Sequence, residues 1–246
     1  MIVDAHCYVG KSIYGHEQSL DELLKNMDSY GIDKAIIIPF TPEDLDFKRQ
    51  NDYIAEVVNR NPERFIGFGR IDPRLKGAVQ EIKRIVENLK LRGIVLHPME
   101  QAFKVNDELI YPVFKECSNL NIPVLIATGY PIVCTALQIG DLAETFPDLT
   151  IIMTHAGQTD ASGLVQFDAI TVMREYKNIF AETSGIHITG KDGFINEVVR
   201  TIGAERIIFG IASPLMDQNV ELTRVKVAMI GEEEKRQILG KISLEY

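Results

Sequence analysis

Residues 3–10 read VDAHCYVG. Asp4, His6 and Tyr8 alternate there with Ala5, Cys7 and Val9. In an extended chain successive side chains point to opposite faces, so the three polar groups are expected to share one face. A strand end presents a catalytic or metal-binding group in this way. What the stretch means depends on what other strands end beside it.

Short runs rich in Ile and Val recur along the chain. They predict strands at 2–6, 35–39, 65–71, 93–97, 123–128, 150–155, 179–183 and 206–211. Most are apolar at successive residues, the pattern of strands covered on both faces. Amphipathic segments at 51–60, 75–89, 109–120, 137–146, 165–176 and 193–202 predict helices between them. In the second of these, Val79, Ile82, Ile85, Val86 and Leu89 fall on one stripe. Asp107 and Glu108 open one helix, Pro62 and Pro147 follow the ends of two others, and Glu232–Glu234 begins a further one. Eight strand–helix units of about thirty residues each predict an α/β fold, a (β/α)8 TIM barrel, as a single domain over residues 1–246. A doubly wound open sheet would want a Gly-rich turn after the first strand, and GKSIYGHEQ (10–18) is not GxGxxG.

The formal net charge of -9 argues against nucleic acid and anionic membrane as partners. No apolar run reaches the roughly 18 residues of a membrane span. MIVDAH enters a strand directly, so no signal peptide is expected. The three cysteines, Cys7, Cys117 and Cys134, form no CxxC pair, which fits a reducing, cytoplasmic setting.

Active sites of such barrels lie at the C-terminal ends of the strands. Those positions hold His6, Tyr8, His97, Thr128, His155, Glu182, Ala212 and Ser213. Three of the five histidines close three different strands, so a barrel would bring imidazoles 6, 97 and 155 to one mouth. His155, His6, Tyr8, His97 and Glu182 are the candidate catalytic residues, and Thr128 and Ser213 the candidate substrate contacts. Each ring could instead be structural, bonded to a carbonyl. A histidine triad suits Zn²⁺ or Fe²⁺, which would bring a bound water to a pKa of about 7. Without metal, the same rings serve as acids and bases near neutral pH.

These stretches resemble the amidohydrolase superfamily, in its branch of compact metal-dependent hydrolases and decarboxylases. VDAHCYVG is similar to the opening D-x-H-x-H-x-G; NDYIAEVVNRNPERFIGFGRIDPR, LRGIVLHPMEQAF, NDELIYPVFKECSNLNIPVLIATG, DLTIIMTHAG and ERIIFGIASPL follow in the family's order. The resemblance implies a mononuclear metal held by two strand-1 histidines, a strand-5 histidine and a strand-8 aspartate, with an assisting histidine after strand 6. His6 matches the first ligand and His155 the strand-6 histidine. The other positions depart: Tyr8 stands for the second ligand, Ala127 for the strand-5 histidine, Ala212 for the strand-8 aspartate, and Val95 for a lysine. Alanine cannot ligate, and tyrosine, with an ordinary pKa of about 10, ligates weakly at neutral pH.

The resemblance implies hydrolysis of an amide, lactone or ester, or decarboxylation of a small carboxylate. The departures imply that no standard zinc is present and no cofactor is expected. Three readings stand open: an enzyme working without that metal, with His155 as acid–base and Tyr8 donating to an oxyanion; an inactive small-molecule-binding protein; and a hydrolase with a rebuilt zinc or other divalent metal site on His6, His97 and His155. Family members are commonly dimers, so a homodimer is possible.

Strand alternation turns Cys7 toward the helical layer as a structural thiol, while Cys134 could lie near the mouth and Cys117 in a helix. Glu182 either reaches the vacated centre or ties down a loop. Thr183–Gly185 with GKDG (190–193) reads as an ordinary surface turn rather than an anion cradle. His16 and His187 fall in loops, and Asp217 comes too late to replace Ala212 directly.

Overall fold

The computed structural model describes residues 1–157, 166–186 and 193–240. Its strands are β1 (Val3–Lys11), β2 (Glu17–Gln18), β3 (Lys34–Pro39), β4 (Phe65–Gly67), β5 (Gly69–Arg70), β6 (Ile94–Leu96), β7 (Val124–Ile126), β8 (Ile151–Met153), β9 (Ile179–Glu182) and β10 (Ile207–Ile208). The α-helices are α1 (Leu20–Tyr30), α2 (Phe47–Arg60), α3 (Ala78–Lys83), α4 (Tyr111–Asn119), α5 (Ala136–Thr145), α6 (Gln166–Glu175), α7 (Phe194–Thr201), α8 (Gln218–Val227) and α9 (Glu232–Gly240).

Two sheets, ordered β2-β1-β3-β4 and β10-β9-β8-β7-β6-β5, are parallel except for the short β2. They join into a ring. On one side β4 runs through Phe68 into β5, and the Phe68 amide donates to the Ile37 carbonyl at 3.0 Å. On the other, the Ala5 and Tyr8 amides donate to the Phe209 and Ser213 carbonyls at 2.9 and 2.8 Å. The fold is thus the (β/α)8 barrel that the strand–helix rhythm predicts.

The packing follows the pleat. Ala5, Ile36, Ile38, Phe68, Val95, Leu125, Ile152 and Ile208 fill the barrel's interior. Ile37, Leu96, Ile126, Met153 and Ala181 face the helices in the larger outer core. Alternation then fixes which polar residues look inward above the interior layer. Phe68 is inside and Ile71 outside, so Arg70 points in; Val95 is inside and Leu96 outside, so His97 points in; Ala181 is outside, so Glu182 points in.

Strand β1 departs from its expected geometry. Its register against β3 slips between Asp4 and Cys7, so alternation breaks there. Ala5 and Tyr8 are interior, and Cys7 joins the outer core. Asp4 does not share a face with His6 and Tyr8 as expected. Its carboxylate accepts from the His6 amide (3.0 Å), the Ile211 amide (2.9 Å) and Cys7 Sγ (2.8 Å), holding the bulge and tying it to the segment after β10. Burial pushes this carboxyl up to about 6, against those three bonds.

Other differences are local. The strand predicted at 65–71 divides at Phe68, and the helix predicted at 75–89 starts at Ala78 and widens to a π-turn over Arg84–Asn88. Helix α1 escaped the apolar periodicity, yet Ser19 and Glu22 form a full capping box at its start and Gly31, at φ 69°, closes it. Among the described residues no helix is long and apolar enough to cross a membrane.

Candidate active site

Glu182 is the hub of the mouth. Fully buried at the end of β9, it accepts hydrogen bonds from the Ser184 amide (Oε1, 2.6 Å), Ser184 Oγ (Oε2, 2.8 Å) and the His155 amide (Oε2, 3.3 Å). His6 Nδ1 lies 3.2 Å from the same Oε2. Burial pushes this carboxyl up, but the His6 contact and the Ser184 bonds outweigh it and hold it below the usual range. The carboxylate is therefore ionised at neutral pH, and the surrounding donors explain how a charge survives there.

Two imidazoles flank it. The His6 and His155 rings are 5.8 Å apart between centroids. Ser184 Oγ sits 3.3 Å from His6 Nδ1 and 3.0 Å from His155 Nδ1, and the Ser184 carbonyl lies 2.9 Å from His155 Nδ1. With both Glu182 and Ser184 at Nδ1, His6 keeps Nε2 for something else. That atom is buried and has no hydrogen-bond partner among the described residues. Tyr8 packs beside His6 at 5.1 Å and stacks on Phe40 at 4.6 Å. Burial pushes its phenol well above the ordinary value, so it stays a neutral donor.

His97 belongs to a second cluster. Its Nε2 is 3.6 Å from Glu100 Oε1, its Nδ1 accepts from the Glu100 amide at 3.3 Å, and its ring is 5.3 Å from that of Tyr130. Glu100 also receives Arg70 Nη2 at 2.7 Å and the Thr41 hydroxyl. Burial, with help from the Arg70 charge, lowers His97 to about 3, so this ring is neutral. Arg70 is a fully buried side chain, its guanidinium 5.0 Å over the Phe47 ring, and its Nε lacks a partner among the described residues.

The structure brings together His6, Tyr8, His155 and Glu182 of the predicted set; His97 bonds to Glu100 and lies within electrostatic reach of His6 and His155. Thr128 and Ser213 are committed elsewhere. The Thr128 hydroxyl donates to the Thr154 carbonyl, and Ser213 Oγ donates to Gln18 Oε1 at 2.9 Å while accepting from Gln218 at 3.1 Å. Both bridge neighbouring elements. Asp217 caps α8 through the Val220 amide and does not fold back. Cys134 is buried in the outer core rather than at the mouth. Glu182 does reach the centre, through the Thr183–Gly185 turn that looked ordinary in sequence; His187 and residues 190–192 of GKDG lie outside the described residues. Sequence reasoning missed Ser184, Arg70 and Glu100. The one available signal was the arginine inside the apolar run FIGFGRI.

The donor set bears on whether the family's metal could be held here. His6, with a carboxylate on Nδ1 and a bare Nε2, has the form of a supported ligand. Its partners do not follow: Ala127 and Ala212 offer methyl groups, and Tyr8 is stacked and neutral. Among the described residues no group of three or more His, Cys, Asp or Glu is placed to hold a metal ion, and His6, His97 and His155 do not assemble into a triad. The described residues do not fit the mononuclear site that the resemblance implies. A cavity of about 190 Å³ beside Phe47, Ile71 and Leu75 is lined by none of these groups.

A parallel barrel whose strand ends carry a carboxylate-supported imidazole defines the class. The chain belongs to the amidohydrolase family, whose sequence profile matches residues 5–241. It is 24% identical over 253 residues to the gamma-resorcylate decarboxylase of Rhizobium radiobacter, covering 79% of this chain and 76% of that one. It is 36% identical over 77 residues to the 2-amino-3-carboxymuconate-6-semialdehyde decarboxylase of Dictyostelium discoideum, a match spanning 31% of this chain and 21% of that protein. The dihydroxybenzoic acid decarboxylase of Polaromonas sp. JS666, solved with bound manganese and the inhibitor 2-nitroresorcinol, superposes with a TM-score of 0.74 at 18% identity, over 97% and 94% of the two chains.

Proposed function

We propose that this chain is one barrel domain that decarboxylates a small carboxylic acid by proton transfer from its own side chains, without the family's metal. The observation that carries this is His6: Nδ1 on an ionised Glu182, Nε2 buried and unpartnered. A carboxylate at Nδ1 orients the ring and stabilises an imidazolium when one forms. The imidazolium gives its Nε2 proton to the carbon losing CO₂. The C–CO₂ bonding pair takes up that proton, and the neutral ring is recharged from solvent. The neutral Tyr8 phenol donates to negative charge developing on the substrate, and His155, on the other side of Glu182, is the second proton carrier. The family membership and the decarboxylases among its relatives support the reaction class; the alanines at 127 and 212 support the metal-free route. Those same alanines favour a second reading, a pocket that binds the acid and does not turn it over.

The test is CO₂ release from gamma-resorcylate and simpler benzoates, by protein dialysed against chelator and assayed for metal. Turnover at substoichiometric metal is expected, falling by about 10²–10⁴-fold in His6→Asn. No release by the wild type, with acid binding retained, would establish the binding reading. Activity that rises in proportion to added manganese would overturn the metal-free route.

A further inference from the structure

Only two buried side-chain polar atoms among the described residues lack a hydrogen-bond partner: His6 Nε2 and Arg70 Nε. Buried polar groups are nearly always paired, so each such orphan calls for an explanation. One belongs to the proton carrier. The other is an arginine on a different strand, at the end of β5, and the pleat points it into the same mouth.

Arg70 is held in place deliberately. Asn51 clasps its backbone from both sides, accepting from the Arg70 amide at 2.8 Å and donating to the Arg70 carbonyl at 2.9 Å. Glu100 takes Nη2, and the Phe47 ring lies against the guanidinium. These contacts balance the charge and fix the plane, yet leave the Nε–H donor unused. Among its neighbours, His97 is neutral, Glu100 is shared with Thr41, and Asp72 is occupied by Arg74 through two bonds of 2.9 and 2.7 Å. A fixed guanidinium with an unspent donor is suited to a planar oxyanion.

We propose that Arg70 is the carboxylate anchor of the mouth: its Nε–H receives one oxygen of an acidic ligand whose reacting carbon lies toward His6. The assignment rests on the decarboxylase reading for the direction of the ligand but not for the contact itself. It defines the ligand class as a compact, planar carboxylate, bound between a permanent cation on β5 and an imidazole on β1. Tyr8 sits within electrostatic reach of both Arg70 and Glu182.

The experiment is equilibrium binding by calorimetry, which needs no turnover, with two probes: gamma-resorcylate and its uncharged carboxamide. The wild type is expected to prefer the acid. Arg70→Gln is expected to weaken acid binding about 10- to 100-fold, the scale of one charge-assisted hydrogen bond, and to leave the amide within about threefold. Because Arg70→Gln strands Glu100, the paired variant R70Q/E100Q, which removes both charges, is measured alongside, with Tm confirming the fold. The assignment is overturned if R70Q/E100Q folds and binds the acid as the wild type does, or if the wild type binds the acid no better than the amide. Acid preference that depends on Arg70 with no CO₂ released by any variant would uphold the anchor and remove only the reaction.

Discussion

His97 shows how a residue type can mislead where its surroundings decide. In sequence it matches His6 and His155 in every respect that a strand end reveals. In the fold it is neutral, lowered to about 3 by burial and the nearby Arg70 charge, and bonded through Nδ1 to the Glu100 amide. The consequence for stability has a definite sign. The folded value lies below the ordinary 6.5, so the unfolded chain takes up a proton that the folded chain refuses. His97's contribution is whole above pH 6.5 and is lost as pH falls toward 3. At pH 5 the loss is about 2 kcal/mol. His97→Gln, which cannot be protonated, is expected to remove that slope. Urea unfolding at pH 7 and pH 5 measures it: the wild type should lose about 2 kcal/mol more than the variant between the two. Parallel slopes would mean that His97 is protonated in the native barrel.

At the level of elements, the site depends on how closely two strands meet. A Cβ on Gly210, just after β10, would collide with Glu182 Oε1. Gly210→Ala therefore pushes the hub carboxylate off its four donors, at an expected cost of about 1–3 kcal/mol. In a Glu182→Ala background the methyl has room and the same change should be nearly neutral. Thermal or urea unfolding of the four proteins in the cycle gives the coupling, and additive costs would show that Gly210 is needed for another reason. This coupling also marks what sequence could reveal. The strand–helix rhythm was legible because buried parallel strands read as continuous Ile/Val runs, and the mouth was legible because barrels present strand ends there. The slip in β1 was not, since nothing in VDAHCYVG signals an extra residue, and it moved Asp4 off the face of His6. Nor were the roles of Ser184, Gly210 and Arg70, which exist only through contacts between residues far apart in the chain. Thr128 and Ser213 stand at strand ends as expected, and their hydroxyls bond neighbouring strands and loops, which sequence does not reveal.

Across the whole molecule, the barrel keeps its architecture with tyrosine at 8 and alanine at 127 and 212, where the sequence resemblance implies metal-binding side chains. That is physically reasonable, because the interior and outer cores are built from residues other than those at 127 and 212. Ala212 sits at φ 59°, a left-handed conformation that alanine disfavours and aspartate tolerates. His6 already offers a bare Nε2 backed by a carboxylate. Restoring the family's donors by Tyr8→His, Ala127→His and Ala212→Asp should therefore rebuild an ion site without refolding the chain. After loading with manganese and dialysis, the triple variant is expected to retain about one ion per chain and the wild type less than about a tenth, by elemental analysis. Adding His6→Ala to the triple should abolish retention, which ties the ion to the mouth. A folded triple variant that holds no metal would mean that the strand ends have drifted from ligand geometry as well as losing their side chains. A wild type that holds a full ion would place the metal on donors other than those at 8, 127 and 212, and the metal-free route would fall.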